Sequence, residues 1–236
     1  MLIAGFPAGP WGTNCYVVAT GPGTECVVID PGKDSTDGVA RVVREHRLKP
    51  VSVLLTHGHV DHMWCVAPVA GTYDATAYIH PDDRHLLTDP MAGMSRETTA
   101  MLLGGGYEFA EPDRVEELAD GRDLELAGLR FVIDHTPGHT EGSVTFRTPY
   151  GQQDVSEVMF SGDLLFEGSI GRTDLPGGDH AKMLRSLREK VLTLPDDVVV
   201  LPGHGGQTDI GRERATNPFL RELLDEGPVG RVTRGL

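Results

Sequence analysis

Short apolar runs, set apart by turns rich in glycine and proline, dominate the chain, and two periodicities trade places along it. Runs at 2–6, 15–19 and 26–29 read as strands. Gly21-Pro22-Gly23 joins the second and third as a hairpin. Helical spacing over 39–46 follows, and then Val51-Ser52-Val53-Leu54-Leu55, a buried strand by composition and length. A short helix is expected over 62–69 and a strand over 76–79. Further strands are expected near 114–118, 123–126, 129–134, 143–148, 157–161 and 198–201. Between the last two, a helix begins after Asp179, whose carboxylate suits a helix cap. Its apolar face is Met183, Leu184, Leu187, Val191 and Leu192. A terminal helix starts near Asn217-Pro218 and turns Phe219, Leu220, Leu223 and Leu224 inward. Residues 86–112 fit neither pattern. They hold Met91, Met94, Met101 and Gly104-Gly105-Gly106, and read as an excursion with one helix over 96–103, of the kind that forms lids or binding loops. The methionines themselves suit gap-filling core.

No linker or shift of composition divides the 236 residues. Two β-rich halves, each with outer helices, suit an α/β four-layer αββα sandwich in one domain spanning 1–236. The formal charge of −14 argues against nucleic-acid partners, which need a basic face to displace counterions. It favours solubility instead. Three cysteines (Cys15, Cys26 and Cys65) are scattered and odd in number, unlike a disulfide framework, and fit a reducing cytoplasm. Residues 1–11 carry no basic leader and are interrupted by Pro7 and Pro10. No run approaches the ~18 apolar residues that span a bilayer.

The candidate chemistry is concentrated in Thr-His-Gly-His-Val-Asp-His at 56–62, directly after strand 51–55. Three imidazoles and a carboxylate this close repel on protonation and compete for donors unless a cation organises them. The donor set suits zinc, iron or manganese without separating them. Gly58 permits an abrupt change of direction at the strand end. Three later segments repeat the layout of apolar run, small residues and metal-preferring side chain: Thr-Pro-Gly-His-Thr with His139, Phe-Ser-Gly-Asp with Asp163, and Leu-Pro-Gly-His-Gly with His204.

These motifs, with Asn14-Cys15-Tyr16, Val28-Ile29-Asp30-Pro31-Gly32, Gly-Arg-Thr-Asp at 171–174 and Gly211-Arg212-Glu213-Arg214…Asn217-Pro218-Phe219, resemble the metallo-β-lactamase fold superfamily of hydrolases. Within it the chain resembles the short glyoxalase II-like branch. The resemblance implies a first metal on His57, His59 and His139, a second on Asp61, His62 and His204, and Asp163 bridging. Two divalent cations are implied, zinc first, with iron or manganese as alternatives. Cations about 3.5–4 Å apart hold a shared hydroxide, since a metal lowers the pKa of water towards ~7. The implied reaction is hydrolysis of a thioester, an S-acyl thiol such as S-lactoylglutathione, with Asp61 and Asp163 as the catalytic carboxylates.

The chain lacks the extra helical domain with which long glyoxalase II enzymes hold glutathione, so the thiol carrier stays open. A persulfide dioxygenase with a single iron is the alternative, because those enzymes share His57, His139, Asp163 and a Gly-Arg-Thr-Asp segment; a lactonase is the next. An aspartate at the bridging position differs from the cysteine typical of β-lactamases there. Arg172 is the candidate for a carboxylate on the substrate's thiol arm, against a surface role paired with Asp174. Asp30 is a candidate orienter of the histidine loop, against a plain turn residue. Cys65 is read as helix packing, and His46, His80, His85, His135 and His180 as groups outside the ligand set. A metal-stabilised scaffold is the non-enzymatic reading, but structural zinc sites are closed and rich in cysteine. The expected partner is a small thiol conjugate, without nucleic acid or membrane, for a cytoplasmic monomer or homodimer.

Overall fold

The computed structural model describes residues 1–95, 98–100, 106–152 and 154–226. Two six-stranded sheets lie face to face. The first runs in the order β1-β2-β3-β4-β5-β6 and the second β14-β13-β10-β9-β8-β7, with a small hairpin β11-β12 beside them. In the first sheet β1 (Leu2–Ala8), β2 (Thr13–Ala19) and β3 (Glu25–Ile29) are antiparallel neighbours. From β3, the strands β4 (Lys49–Leu54), β5 (Thr76–Ile79) and β6 (Val115–Glu117) continue in parallel. The second sheet is antiparallel through β7 (Asp123–Leu126), β8 (Leu129–His135), β9 (Val144–Gln152) and β10 (Val155–Gly162). Strand β13 (Val199–Pro202) lies parallel to β10, and β14 (Thr208–Asp209) closes the edge.

The period of two along each strand sorts side chains into three cores. Cys15, Val17, Val28, Val53 and Leu55 face outward onto helices α1 (Thr36–His46), α2 (Val60–Met63) and α3 (Val66–Tyr73). Their neighbours Tyr16, Val18, Val27, Ile29 and Leu54 face Phe131, Ile133, Phe146 and Phe160 between the sheets. Met159 and Val200 face the other way, onto α5 (His180–Ser186), its π-helical continuation Leu187–Val191, and α7 (Pro218–Asp225). The layers are therefore α, β, β, α. Among the described residues no helix is long and apolar enough to cross a membrane.

The differences from expectation are short elements. The hairpin β11 (Leu165–Phe166) and β12 (Ser169–Ile170), strand β14 and helix α6 (Ile210–Thr216) are too brief to show a period. So is α4 (Pro81–Arg84), a single turn. The helix expected at 96–103 lies mostly outside the described residues, although 98–100 are helical. Leu224, expected to face inward, is instead exposed; Leu220 and Leu223 are buried in the outer core and Phe219 packs against it. Asp179 caps α5 as expected, accepting from Lys182 N at 3.0 Å.

Each strand that carries a candidate ligand ends at the same rim, and the two sheets are tied together there. Val144 N donates to Thr56 O at 2.8 Å, and Asn14 N donates to Gly203 O at 2.7 Å. The buried Tyr16 hydroxyl donates to Pro202 O at 2.7 Å, next to the Pro-Gly-His-Gly loop. Tyr16→Phe should therefore lower the unfolding free energy by about 1–2 kcal/mol, since a buried carbonyl loses its donor. Urea denaturation checks this, and an unchanged midpoint would show that the hydroxyl does not brace the rim.

Candidate metal centre

Strand geometry delivers the donors. β3 and β4 end in register, Ile29 opposite Leu54, which sets Asp30 beside the loop that follows β4. The loops after β8, β10 and β13 bring His139, Asp163 and His204 to the same point. All seven candidate ligands converge. His57, His59 and His139 form one group, and Asp61, His62 and His204 another, with the donor atoms of each within 4.8 Å of one another. Asp163 stands between them. Its Oδ1 is 3.3 Å from His62 Nε2, and its Oδ2 is 3.4 Å from His139 Nε2 and 3.6 Å from His204 Nε2.

Contacts on the far side of the His139, His62 and His57 rings set which nitrogen faces the cluster. The His139 Nδ1–H donates to the carbonyl of Arg172 at 2.7 Å, leaving Nε2 free. His62 Nδ1 faces Asp30 Oδ2 at 3.0 Å, which turns its Nε2 inward. The Thr56 hydroxyl donates to Asp30 Oδ2 at 2.6 Å and lies 3.1 Å from His57 Nδ1, from which it can accept. Asp30 also accepts from Thr56 N at 2.8 Å through Oδ1. It takes these bonds at φ 48°, a left-handed conformation that an aspartate tolerates better than most residues. Asp30 thus faces His62 directly and the histidine loop through Thr56, the contacts that the orienting reading of Asp30 calls for. Thr13 was not anticipated: its hydroxyl donates to Asp61 Oδ2 at 3.0 Å.

Burial dominates the electrostatics. Desolvation, then the neighbouring imidazoles, pushes His57 far below its ordinary value and His59 down to about 3. Both are neutral ligands in waiting. Burial also opposes charge on His62 and His204. There the carboxylates Asp61 and Asp163 outweigh it and raise both groups. Burial alone would raise Asp61 and Asp163, but the facing His62 and its neighbours hold both low.

A cation fits this donor set. His57 Nε2 and Asp163 Oδ1 are buried without a hydrogen-bond partner among the described residues, as is His59 Nε2 on the other side of its ring. Unpaired buried acceptors are rare because they are costly. His59 Nδ1 and His139 Nε2 approach to 2.8 Å, close enough for both lone pairs to meet one ion. The trio His80, Asp82 and His135 also gathers donors within 4.8 Å, outside the expected ligands. Its imidazoles are stacked 4.0 Å apart and only 11° from parallel, so their lone pairs run side by side instead of converging.

Gly58 serves a purpose other than the one expected. It is not in the left-handed region; a side chain there would press on Leu86 Cβ at 2.9 Å and the Asp83 carbonyl at 3.0 Å. Close packing, not a turn, requires the glycine. Arg172 lines the mouth of a cleft of about 240 Å³ beside the cluster, with Trp11, Met94 and Leu175 as apolar walls. Its guanidinium is engaged twice by Asp174, at 2.7 and 2.6 Å. That pair holds the Asp174 carboxyl at about 2. Cys65 is buried in the outer core, as expected.

The family model of the metallo-beta-lactamase superfamily matches residues 8–204. An uncharacterized protein of Mycobacterium tuberculosis is 49% identical over 94% of this chain and 99% of its own length. The hydroxyacylglutathione hydrolase GloC of Haemophilus influenzae is 32% identical over 93% of this chain and 98% of its own. Among solved structures, BLEG-1, described as a B3 metallo-beta-lactamase, superposes with TM-score 0.79 at 39% identity, covering 93% of this chain and 99% of that one. TTHA1623, solved in a di-iron-bound form, gives TM-score 0.74 at 38% identity, covering 93% and 100%.

The opposite shifts within the cluster predict how metal uptake depends on pH. His57 and His59 are held below the ordinary imidazole range, so protons compete little for them, whereas the carboxylates hold His62 and His204 above it. Lowering the pH should therefore empty the group of Asp61, His62 and His204 first, with proton release on refilling. Calorimetric zinc titrations in buffers of different ionisation heat measure this, and equal proton release from both sites would contradict it.

Proposed function

The chain belongs to the metallo-β-lactamase superfamily, and from that premise we propose that it is a metal-dependent thioester hydrolase. Its substrate class is a small S-acyl thiol conjugate of the S-lactoylglutathione type. The observation that carries the reading is the pair of donor trios with Asp163 reaching both, set at the floor of an open cleft. The likeness to GloC over nearly the full length of both chains supports the thioester. His57, His59 and His139 would hold one divalent cation and Asp61, His62 and His204 the other, with Asp163 between. Zinc is the first choice, and the di-iron form of TTHA1623 keeps iron as the alternative. Bound there, the cations supply a nucleophilic water at neutral pH and polarise a carbonyl.

The chain's own residues supply the rest. Asp30, Thr56 and the Arg172 carbonyl hold the imidazole rings in the tautomers that face the cleft. Thr13 steadies Asp61, so that its carboxylate keeps one orientation as substrate arrives. Trp11, Met94 and Leu175 wall the cleft with apolar surface that suits an acyl or thioether chain. The Arg172 guanidinium stands at the mouth, and a substrate carboxylate would take it over from Asp174. The net charge of −14 speaks against a polyanionic partner.

Two other readings are arms of the test. A single iron with a thiol persulfide would make the chain a dioxygenase, and the likeness to BLEG-1 reopens lactam hydrolysis, which Asp163 had set aside. Protein purified without added metal should be analysed for metal and offered S-lactoylglutathione, glutathione persulfide, a lactone and a β-lactam. Thioester hydrolysis is expected, lost by orders of magnitude in Asp163→Asn. Oxygen uptake with the persulfide and intact thioester would hand the function to the dioxygenase. Arg172→Ala should raise KM roughly tenfold, the low end for a charge-assisted bond, with a smaller change in kcat. An unchanged KM would leave Arg172 as the partner of Asp174 and the orienter of His139 only.

A further inference from the structure

Asp83 is charged by nature, almost fully buried, and absent from every motif that marks the metal centre. It sits on α4, the single turn after β5, in a stretch the hydrophobic pattern does not resolve. Its carboxylate accepts three hydrogen bonds. Gly58 N donates to Oδ2 at 2.8 Å, the Thr140 hydroxyl donates to Oδ2 at 2.7 Å, and Gly142 N donates to Oδ1 at 2.8 Å. Gly58 lies between His57 and His59. Thr140 follows His139, and Gly142 lies two residues further on. One carboxylate thus grips both loops that carry the first trio, one loop from each sheet.

The surroundings are built for that grip. A side chain at Gly142 would meet the Asp83 carboxylate itself, and one at Gly58 would meet the Asp83 carbonyl at 3.0 Å. Both loops bring a glycine N–H to Asp83, and the His139 loop adds the Thr140 hydroxyl. The Thr140 hydroxyl also lies 2.7 Å from Ser143 Oγ, which accepts from Thr140 N at 3.1 Å, so the turn after His139 is closed around the bond to Asp83. An ionised carboxylate is acceptor-only, which matches three donors and no acceptor.

We infer that Asp83 is the positioning residue of the first metal site: it fixes the spacing between the His57–His59 loop and His139. The second site has its own carboxylate on the far side, Asp30 behind His62. Asp30 also reaches His57 through Thr56, but of the two carboxylates only Asp83 joins the His57–His59 loop to the loop of His139. This rests on the reading of the cluster as a metal centre, and it reaches the centre through Gly58, Thr140 and Gly142, not by contact with the ion. Asparagine at 83 has the same shape but turns an amide N–H₂ towards at least one of the three donors, so one loop is pushed away. Outer partners of metal ligands typically change affinity by about 10–100-fold when altered.

Zinc affinity, measured against a chromophoric chelator, tests this in two backgrounds. In His204→Ala, which spoils the second trio, adding Asp83→Asn should weaken zinc binding roughly 10–100-fold. In His139→Ala, which spoils the first, the same change should leave the remaining affinity within about twofold, below what a tuned outer partner costs. Thr140→Val removes one donor and keeps the carboxylate; it should give a smaller loss, again only in the His204→Ala background. It decides the matter if circular dichroism shows that Asp83→Asn does not fold. Equal losses in both backgrounds, or none in either, would overturn the positioning role while leaving the metal centre intact. A wild-type protein that takes up no zinc would remove the centre itself, and Asp83 with it.

Discussion

Five imidazoles and two carboxylates that would each prefer water share one small, largely buried volume, and the cost of keeping them there governs what surrounds them. His57 and His59 answer by staying neutral, and His62 by taking its charge from the carboxylates around it. The unpartnered His57 Nε2 and Asp163 Oδ1 mark where those compromises stop and a cation takes over. Such a cluster holds its shape only if the rings cannot rotate. Hence the three bonds behind them: Asp30 to His62, Thr56 to His57 and the Arg172 carbonyl to His139.

The sandwich is the scaffold that this constraint asks for. Parallel β3 and β4 end together, so Asp30 and the histidine loop leave the first sheet side by side. β10 and β13, the parallel pair of the second sheet, do the same for Asp163 and His204. The rim is then stitched across the sheets by Thr56 to Val144 and by Asn14 to Gly203. Ligands from four strand ends thus sit on rigid supports, and the cleft walls come from the connections between elements. Trp11 belongs to the β1–β2 connection, Met94 to the excursion after β5, and Leu175 to the loop after β12.

Much of this was legible in the chain because it is written in local patterns. The strands carry β-branched runs, and the seven donors stand in short motifs directly after them. What was not legible depends on contacts between distant residues. Asp83 and Thr140 are 57 positions apart, and Thr13 and Asp61 are 48 apart; no periodicity announces either pair. Gly58 looked like a point of abrupt turning because the sequence shows a glycine at a strand end but not the Leu86 side chain against it. Leu224 fits the apolar stripe of its helix by spacing alone, yet the outer core ends at Leu223, one residue short. Arg172 was legible as a residue at the cleft but not as the carbonyl that orients His139.

The central claim is that two cations sit in this cluster with Asp163 between them. The most direct measurement is anomalous diffraction from crystals grown with zinc. Two peaks are predicted, one about 2.0–2.3 Å from nitrogens of His57, His59 and His139, the other touching Asp61, His62 and His204. Peaks elsewhere, or His139 and Asp163 turned away from the density, would contradict the account.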